Sequence, residues 1–445
     1  MSKVLLTGNG ASAWGARLAR ADYVPAFPIT PQTEIIETLS KWIVDGDMDC
    51  RMVNMDSEHS MLTAAGAAAV TGVRVFTATS SQGLLYAMEM LYSTAGWRAP
   101  FVMANVSRGL SAPITLESDH NDILAARDSG FLQIHCATCQ DILDSTLIAY
   151  RLTEDPRVRL PVIVNLDGFY LSFTREPVEI PDTKRVDEFI GPYDPENERF
   201  TANVPVSQAV AVLGGTPYSY FRYETHLAAQ KALEVYDEIA EEFAEKFGRH
   251  YPSIETYQCD DADSVFVMMG SFSTKAKEAV NQLRKAGKKV GLLQYRLLRP
   301  YPAKAISHAL KNKKAVGVID QSISVGKGGV LHTELASALY GQTGAPRILA
   351  SFIGGLGGRD IPIQEFFKIV DTLEEATKTG ITPEPRLLFT SQEMEEVRKL
   401  QAIANQIPTT TIDTTTIDTA TVDTATIDTT IDSNNKTSTT QRSTD

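Results

Sequence analysis

At residues 56–70 the chain contains Asp56-Ser-Glu-His-Ser-Met-Leu-Thr-Ala-Ala-Gly-Ala-Ala-Ala-Val70. The run of small residues predicts a helix whose backbone is approached closely by something bulky, because Ala and Gly do not hold a neighbour at a distance. Ser57 is a favoured N-cap residue, and Glu58 would then lie in the first turn, where the helix dipole stabilises a carboxylate. This interaction with the helix dipole would be enough to explain Glu58. The competing interpretation is a partly buried carboxylate with a functional role.

Three other polar stretches fall where strands are expected to end. They are Phe27-Pro-Ile-Thr-Pro31, Thr77-Ala-Thr-Ser-Ser-Gln-Gly83 and Asn105-Val-Ser-Arg-Gly-Leu-Ser-Ala-Pro113. Apolar segments predict strands at 74–78, 100–106 and 160–165, with helices at 33–44, 84–96 and 140–153. Strands alternating with helices indicate a parallel sheet covered on both faces, whose ligands bind at the carboxyl ends of the strands. The polar stretches therefore predict one wall of a ligand site.

The same patterns divide the chain into two α/β domains, a spacer and a tail. The first domain, residues 1–255, includes a long excursion at 175–222. Its other predicted elements are a short buried strand at 4–7, a helix at 11–21 in which Gly15 permits close packing, and an amphipathic helix at 225–247. The second domain, residues 256–375, has predicted strands at 264–269, 289–293, 315–320 and 347–352 and helices at 274–286, 303–310 and 330–339.

Residues 376–407 are expected to form a helical or extended spacer. In the tail, residues 408–445, Thr-Ile-Asp units repeat with a period of five. This period fits neither a strand nor a helix, so no face of the tail can be buried and we expect it to be disordered.

Composition argues against several classes of function. The chain has 42 Lys and Arg against 55 Asp and Glu, a net charge of −13 that disfavours binding to nucleic acid. No apolar run approaches the roughly 18 residues of a membrane span. The start, Met1-Ser-Lys-Val-Leu-Leu-Thr-Gly8, has too short an apolar segment for a signal peptide. We therefore expect a cytoplasmic protein without a membrane partner.

Several glycine and cysteine motifs have a structural interpretation that we prefer. The third glycine of a dinucleotide motif beginning Gly8-Asn-Gly10 would fall at position 13, which is Ala, so a tight strand-to-helix turn is favoured. Gly326-Lys-Gly-Gly329 and Gly354-Gly-Leu-Gly-Gly358 lack the spacing of a phosphate-binding P-loop and are interpreted as turns. Cys136-Ala-Thr-Cys139 has no second ligand pair, so we expect two ordinary thiols near a surface strand and no metal on this chain.

A series of motifs in one order extends from about residue 3 to about residue 375. It comprises Gly8-Asn-Gly-Ala11, Pro28-Ile-Thr-Pro31, Ser57-Glu-His59, Thr77–Gly83, Ser107-Arg-Gly-Leu-Ser-Ala-Pro113, Asp119-His-Asn-Asp122, Phe221-Arg-Tyr-Glu-Thr-His226, Leu298-Arg-Pro-Tyr-Pro302 and Gly354-Gly-Leu-Gly-Gly-Arg-Asp360. In these motifs the chain strongly resembles the α subunit of pyruvate:ferredoxin oxidoreductase, within the thiamine diphosphate-dependent 2-oxoacid:ferredoxin oxidoreductases. The members that act on 2-oxoglutarate carry Ser-Gly-Pro-Gly where this chain has Ser80-Ser-Gln-Gly83, so the resemblance favours the pyruvate branch.

The resemblance implies a fold, cofactors and partners. The first domain would be a pyrimidine-type thiamine diphosphate-binding domain with a parallel sheet, and the second would be similar to the transketolase C-terminal domain. A partner β subunit would complete the cofactor site and hold its Mg²⁺, while iron–sulfur clusters would lie on partner subunits and not on this chain. The expected complex, with γ and δ subunits, converts pyruvate and coenzyme A to acetyl-CoA and CO₂ and passes electrons to ferredoxin in anaerobic metabolism.

The resemblance also implies roles for particular residues. Glu58 would contact N1′ of the cofactor's aminopyrimidine ring, and Arg108 and Thr30 would bind the carboxylate of the 2-oxoacid. Arginine suits that task because its guanidinium binds a carboxylate in a bidentate manner. Further cofactor contacts are expected from the strand-end loops, at Pro28, Ile29, Thr79 and Ser80.

Each of these residues also has a simpler explanation. Arg108 could pair with Asp119 or Glu117, the Thr30 hydroxyl could stabilise a turn, and Thr79 and Ser80 could form a polar strand end. His120 could relay a proton, but a histidine hydrogen-bonded within its own loop is the interpretation we prefer.

Three alternative functions stay open. The same chemistry on another 2-oxoacid, such as 2-oxoisovalerate or oxalate, is the nearest. The β chain of an NAD-linked 2-oxoacid dehydrogenase would combine similar domains, and a non-catalytic scaffold would keep the fold alone.

Overall fold

The computed structural model describes residues 2–195, 199–203, 205–207 and 210–404. The predicted tail, 408–445, lies outside the described residues. The chain divides into two compact units, Met1–Leu388 and Phe389–Asp445. No helix in the described part of the chain is both long and apolar enough to cross a membrane.

The elements of the first unit up to residue 190 follow the predicted alternation of strands and helices. In chain order they are β1 (Ser2–Thr7), α1 (Gly8–Leu18), β2 (Tyr23–Ala26), α2 (Thr33–Val44), β3 (Arg51–Asn54), α3 (Glu58–Ala69), β4 (Phe76–Thr79), α4 (Gln82–Tyr86), α5 (Met88–Gly96), β5 (Val102–Ser107), α6 (Asn121–Ala125), β6 (Leu132–His135), α7 (Cys139–Thr153), β7 (Val162–Asp167), β8 (Arg175–Ile180) and α8 (Thr183–Ile190).

The remaining elements begin with a 33-residue helix. In chain order they are α9 (Gly215–Phe247), β9 (Ile254–Tyr257), β10 (Ser264–Met269), α10 (Phe272–Lys285), β11 (Val290–Tyr295), β12 (Leu297–Arg299), α11 (Ala303–Ala309), β13 (Ala315–Asp320), α12 (Val330–Leu339), β14 (Ile348–Ile353), α13 (Ile363–Thr379), β15 (Arg386–Leu387) and α14 (Ser391–Ala404). The last helix, α14, belongs to the second unit.

The first sheet has the strand order β12-β6-β7-β5-β4 in the described residues. β4, β5, β7 and β6 run parallel, and every residue of these four strands is buried. Burial on both faces is what a parallel sheet requires, because the crossover helices cover both sides of it. The predicted α/β architecture is therefore confirmed, and the carboxyl ends of these strands meet at one edge.

The two-stranded parallel sheet β2–β3 lies beside β4. A β-bridge joins Tyr23 of β2 to Val75, just before β4. The loop after β2 is Phe27–Pro31, and α3 follows β3 after a short connection. The stretches that the sequence marked as strand ends therefore come together around one site.

The second sheet has the strand order β15-β14-β13-β10-β11-β9, with β9 antiparallel to β11 and the other neighbours parallel. β12, only two residues after β11, leaves this sheet and pairs antiparallel with β6 of the first sheet. The segment after β11 thus ties the two sheets together. The domain boundary near residue 255 stays a prediction.

In the first half of the chain the structure differs from two expectations, the burial of residues 4–7 and the start of the helix predicted at 225. The strand predicted as buried at 4–7 is β1, which pairs antiparallel with β8 and leaves Leu5 67% exposed. A two-stranded sheet has only one face to cover, so alternate residues stay in solvent. The excursion predicted at 175–222 contains β8 and α8, and α9 starts ten residues before the predicted helix. Pro217 lies in its first turn, where the missing N–H of proline costs no helical hydrogen bond.

Candidate active site

Glu58 is the first residue of α3 and exposes only 6% of its surface. The Ser57 Oγ caps the helix by accepting a hydrogen bond from the Ser60 backbone N–H at 3.1 Å, so the predicted cap is confirmed. The cap does not need Glu58. Burying an ionisable side chain is costly unless a partner compensates for the lost water, so its position indicates a role beyond helix stability.

The small residues of α3 bring α5 against its backbone. A side chain at Gly66 would collide with Thr94 Cγ2 and come within 3.2 Å of the Trp97 ring. The expected bulky neighbour is therefore confirmed. This packing fixes the position of α3, and with it that of Glu58, relative to the sheet.

Glu58, Thr79 and Gly83 converge on one point. A Cβ at Gly83 would lie 2.5 Å from Glu58 Oε1 and 2.7 Å from Thr79 Oγ1. Thr79 is fully buried at the end of β4, and its hydroxyl has no hydrogen-bond partner within the described residues. Buried polar groups normally have hydrogen-bond partners, and a polar ligand bound here would supply one for this hydroxyl and for the carboxylate beside it.

Replacing Gly83 by Ala is expected to lower activity at least about tenfold, because the new methyl group displaces the Glu58 carboxylate from its position. The affinity for the thiamine diphosphate that the family resemblance implies should fall together with kcat, whereas the melting temperature should change little. Gly96→Ala in α5 is the matched control, since nothing lies within 4 Å of its added methyl group. Equal activities of the two variants would contradict the arrangement inferred for Gly83.

Arg108 follows β5 and is nearly buried. Its Nη1 donates to the backbone carbonyl of Thr30 and its Nη2 to Gln82 Oε1, each at 2.8 Å. Its Nε is buried without a partner in the described part of the chain. Burial lowers the pKa of Arg108, although the carboxylate of Asp122 opposes the shift. Both hydrogen-bond acceptors of the guanidinium are neutral, which leaves its positive charge for an anion.

The alternative pairing of Arg108 with Asp119 or Glu117 is not found among the ion pairs of the described residues. Instead, Asp119 accepts a hydrogen bond from the Asn121 backbone N–H. Gln82, which positions the guanidinium, was missed by the sequence analysis. It lies inside the motif Thr77–Gly83, but nothing local marks its side chain as a partner of Arg108.

The loop after β2 contributes through its backbone. Thr30 contacts Arg108 with its carbonyl oxygen, and its side chain is exposed. Pro28 is exposed and Ile29 half-buried in the same loop. The structure therefore brings Thr30 to Arg108, and the predicted roles of the Thr30 hydroxyl, Pro28 and Ile29 stay predictions.

Ser80 and Ser81 are fully buried at the turn after β4. The Ser80 hydroxyl donates to the Val106 carbonyl at 2.7 Å, which ties β4 to β5. The Ser81 hydroxyl lies within hydrogen-bond distance of the Gly109 carbonyl, at 3.0 Å. The contact of Ser80 is therefore internal, whereas its predicted contact with a cofactor is untested.

His120 does not bond within its own loop, so that expectation was wrong. Its Nε2 lies 2.8 Å from Asp167 Oδ1 at the end of β7, and Asp167 also accepts from the Ser271 backbone N–H. Burial opposes protonation of His120, but the charge of Asp167 outweighs it and raises the pKa of His120. This buried pair connects the carboxyl ends of the two sheets, a tertiary contact that local sequence does not reveal.

The two cysteines of the Cys136-Ala-Thr-Cys139 motif are buried rather than near the surface. Cys136 and Cys139 are free thiols with 1% or less exposure, because both face the core beside α7. Burial raises the pKa of Cys139 to about 12. Among the residues that the structure describes, no cluster of three or more His, Cys, Asp or Glu side chains could hold a metal ion.

Two family models match the chain. One, described as "Pyruvate flavodoxin/ferredoxin oxidoreductase, thiamine diP-bdg", covers residues 14–244, just over half of the chain. The other, described as "Pyruvate:ferredoxin oxidoreductase core domain II", covers residues 262–366. All residues proposed for the site lie within the first match.

Named relatives are similar over most of their length. The chain is 40% identical to pyruvate synthase subunit PorA of Pyrococcus furiosus over 381 residues, 86% of this chain and 96% of the relative. It is 39% identical to ketoisovalerate oxidoreductase subunit VorA of Pyrococcus horikoshii, over 85% of this chain and 95% of the relative.

A solved structure shares the fold. It is a 2-oxoglutarate:ferredoxin oxidoreductase from Magnetococcus marinus with 2-oxoglutarate, coenzyme A and succinyl-CoA bound, with a TM-score of 0.65 and 19% identity. The match covers 84% of this chain and 65% of that one, so this chain spans just under two thirds of the neighbour's length.

Proposed function

The chain belongs to the pyruvate:ferredoxin oxidoreductase family, and on that premise we propose that it is the α subunit of a complex that oxidatively decarboxylates pyruvate. The reaction consumes pyruvate and coenzyme A and yields acetyl-CoA and CO₂, with the electrons passed to ferredoxin. This chain contributes one half of the thiamine diphosphate site. Its relatives' designation as subunits supports a requirement for partner chains.

The observation that carries the proposal is the convergence of Glu58, Thr79 and Gly83. A nearly buried carboxylate, a buried hydroxyl without a partner and a glycine with no room for a side chain fit the edge of a polar aromatic ring. We assign the aminopyrimidine of thiamine diphosphate to this position. Glu58 would hold the proton at ring atom N1′, and its burial makes that hydrogen bond stronger than it would be in water.

When bound, thiamine diphosphate supplies the electron sink that allows a 2-oxoacid to lose CO₂. Arg108 binds the substrate carboxylate with its guanidinium, which Gln82 and the Thr30 carbonyl hold in place. The strand-end residues exclude water from this half of the site, which strengthens both interactions.

The remaining components belong to partner chains in this proposal. A β subunit would bind the diphosphate and its Mg²⁺ and complete the site. Iron–sulfur clusters would lie on the β, γ or δ subunits and would pass electrons to ferredoxin. Four free cysteines, three of them buried, offer no set of thiolate ligands for a cluster on this chain.

A branched-chain 2-oxoacid is the second candidate substrate. The observation that favours it is the 39% identity to a ketoisovalerate oxidoreductase subunit, against 40% to a pyruvate synthase subunit. Identity over the whole chain therefore does not separate the two substrates.

A substrate panel tests the proposal. The purified native complex should reduce a viologen dye with pyruvate and coenzyme A, with a larger kcat/KM for pyruvate than for 2-oxoisovalerate, oxalate or 2-oxoglutarate. The same preparation should contain iron and acid-labile sulfide, which an NAD-linked dehydrogenase would lack. A preference for 2-oxoisovalerate would make that acid the substrate in place of pyruvate. Turnover with none of these acids would reject the proposed function.

A further inference from the structure

Asp122 is a fully buried carboxylate that the proposed chemistry does not use. It lies in α6, at the end of the motif Asp119-His-Asn-Asp122, and its side chain faces the ends of β4 and β5. No cation of the described residues forms an ion pair with it; hydrogen-bond donors surround it instead. The identity of these donors indicates its role.

Donors from both strand ends converge on the two oxygens of Asp122. Its Oδ2 accepts from the Ser81 backbone N–H at 3.0 Å, the Asn105 side chain at 3.2 Å and the Arg108 backbone N–H at 3.4 Å. Its Oδ1 accepts from the Ser107 hydroxyl and from the Ile123 backbone N–H. One carboxylate thus binds the backbones of two different loops.

These two loops hold the residues that contact one another in the substrate half of the site. Ser81 precedes Gln82, whose side-chain oxygen accepts from Arg108 Nη2. Ser81 also has φ +49°, a conformation that is unfavourable for serine and needs surrounding contacts to persist. A shift of either loop would change the position of the Arg108 guanidinium relative to Glu58 and Gly83.

We propose that Asp122 is a positioning residue for the 2-oxoacid, holding the Ser81–Gly83 turn and Arg108 in fixed register. This inference rests on the proposed function, because it assigns the guanidinium of Arg108 to the substrate carboxylate. Asp122 touches neither substrate nor cofactor. It acts through Arg108 and Gln82.

A double-mutant cycle between Asp122→Asn and Arg108→Lys separates positioning from general stability. Asn keeps the volume of Asp122, but its NH₂ cannot accept a hydrogen bond, so one group of donors loses its partner. We expect kcat/KM for the 2-oxoacid to fall about tenfold in Asp122→Asn and about 100-fold in Arg108→Lys. In the double variant kcat/KM should also fall about 100-fold and no further, because Arg108→Lys has already removed the guanidinium that Asp122 positions.

Asp144→Asn is the matched control. Asp144 is also a buried aspartate, but it binds Arg249 and Tyr251 on the α7 side of the core. This variant should lower the melting temperature without changing KM. Any change that it makes in kcat/KM should multiply with the change caused by Arg108→Lys. The same multiplicative behaviour in Asp122→Asn would overturn the proposal.

Ser107→Ala keeps the test decisive if Asp122→Asn does not assemble. It removes one donor to Asp122 Oδ1 and leaves the carboxylate in place. We expect a two- to fivefold loss of kcat/KM that is likewise absent on the Arg108→Lys background. Independent effects in this cycle would refute positioning, whereas a wild-type complex without 2-oxoacid turnover would reject the proposed function itself and the inference with it.

Discussion

Replacing Glu58 by Gln is expected to lower kcat of the assembled complex by about 100- to 1,000-fold, within the roughly 100- to 10,000-fold that a positioned acid–base group usually contributes. Gln keeps the size of the side chain but cannot exchange a proton with N1′ of the aminopyrimidine. The burial of Glu58 makes this loss larger, because water has little access to replace it. The measurement is 2-oxoacid-dependent viologen reduction at saturating thiamine diphosphate.

Glu89→Gln provides the control for this prediction. Glu89 lies on α5, is exposed and contacts the half-buried His59, so it shares the neighbourhood of Glu58 but not its burial. This control should keep wild-type kcat. If Glu58→Gln kept full activity with cofactor bound at normal stoichiometry, the catalytic role of Glu58 would be rejected and the chain would be better described as a non-catalytic scaffold.

Replacing Arg108 by Lys should lower kcat/KM for the 2-oxoacid by about 100-fold, mainly through a higher KM. A lysine keeps the charge but cannot donate to Thr30, Gln82 and a carboxylate at once, because its ammonium lacks the planar fork of arginine. The affinity for thiamine diphosphate should stay close to that of the wild type. Steady-state kinetics with varied 2-oxoacid and a separate cofactor titration measure the two effects.

Arg98→Lys is the corresponding control. Its guanidinium is also partly buried and also donates to backbone carbonyls, those of Val158 and Arg159. The substitution should reduce stability without changing KM for the 2-oxoacid. A KM for Arg108→Lys that matches the control would remove Arg108 from the substrate site.

Elements with strong local patterns were predicted well. The bounds of α2, α12, β10 and β13 agree with the structure, since each has clear periodicity or a continuous buried run between turn residues. The close approach at Gly15 is also confirmed, because a Cβ there would lie 2.6 Å from Thr146 on α7. Composition and periodicity predict the bounds of an element and its close contacts because they show which face of the segment is buried.

Contacts between distant segments were not predicted. β12 has only three residues and no periodicity that separates it from a loop, yet it forms the edge of the first sheet. The pairing of His120 with Asp167, and of Arg108 with Gln82, joins strand ends that are far apart in the chain. Such pairs depend on the strand order, which the sequence patterns left open.

The sequence by itself determined the alternation of strands and helices, the small-residue helix with its N-cap, and the family motifs that contain Glu58 and Arg108. Only the tertiary structure decided that Gly83 and Thr79 meet Glu58, and that one carboxylate, Asp122, joins two loops of the site. The physical reason is that helix and strand patterns depend on neighbours a few residues apart. The position of a side chain in the site depends on which strands lie side by side, and that is decided by packing across the whole sheet.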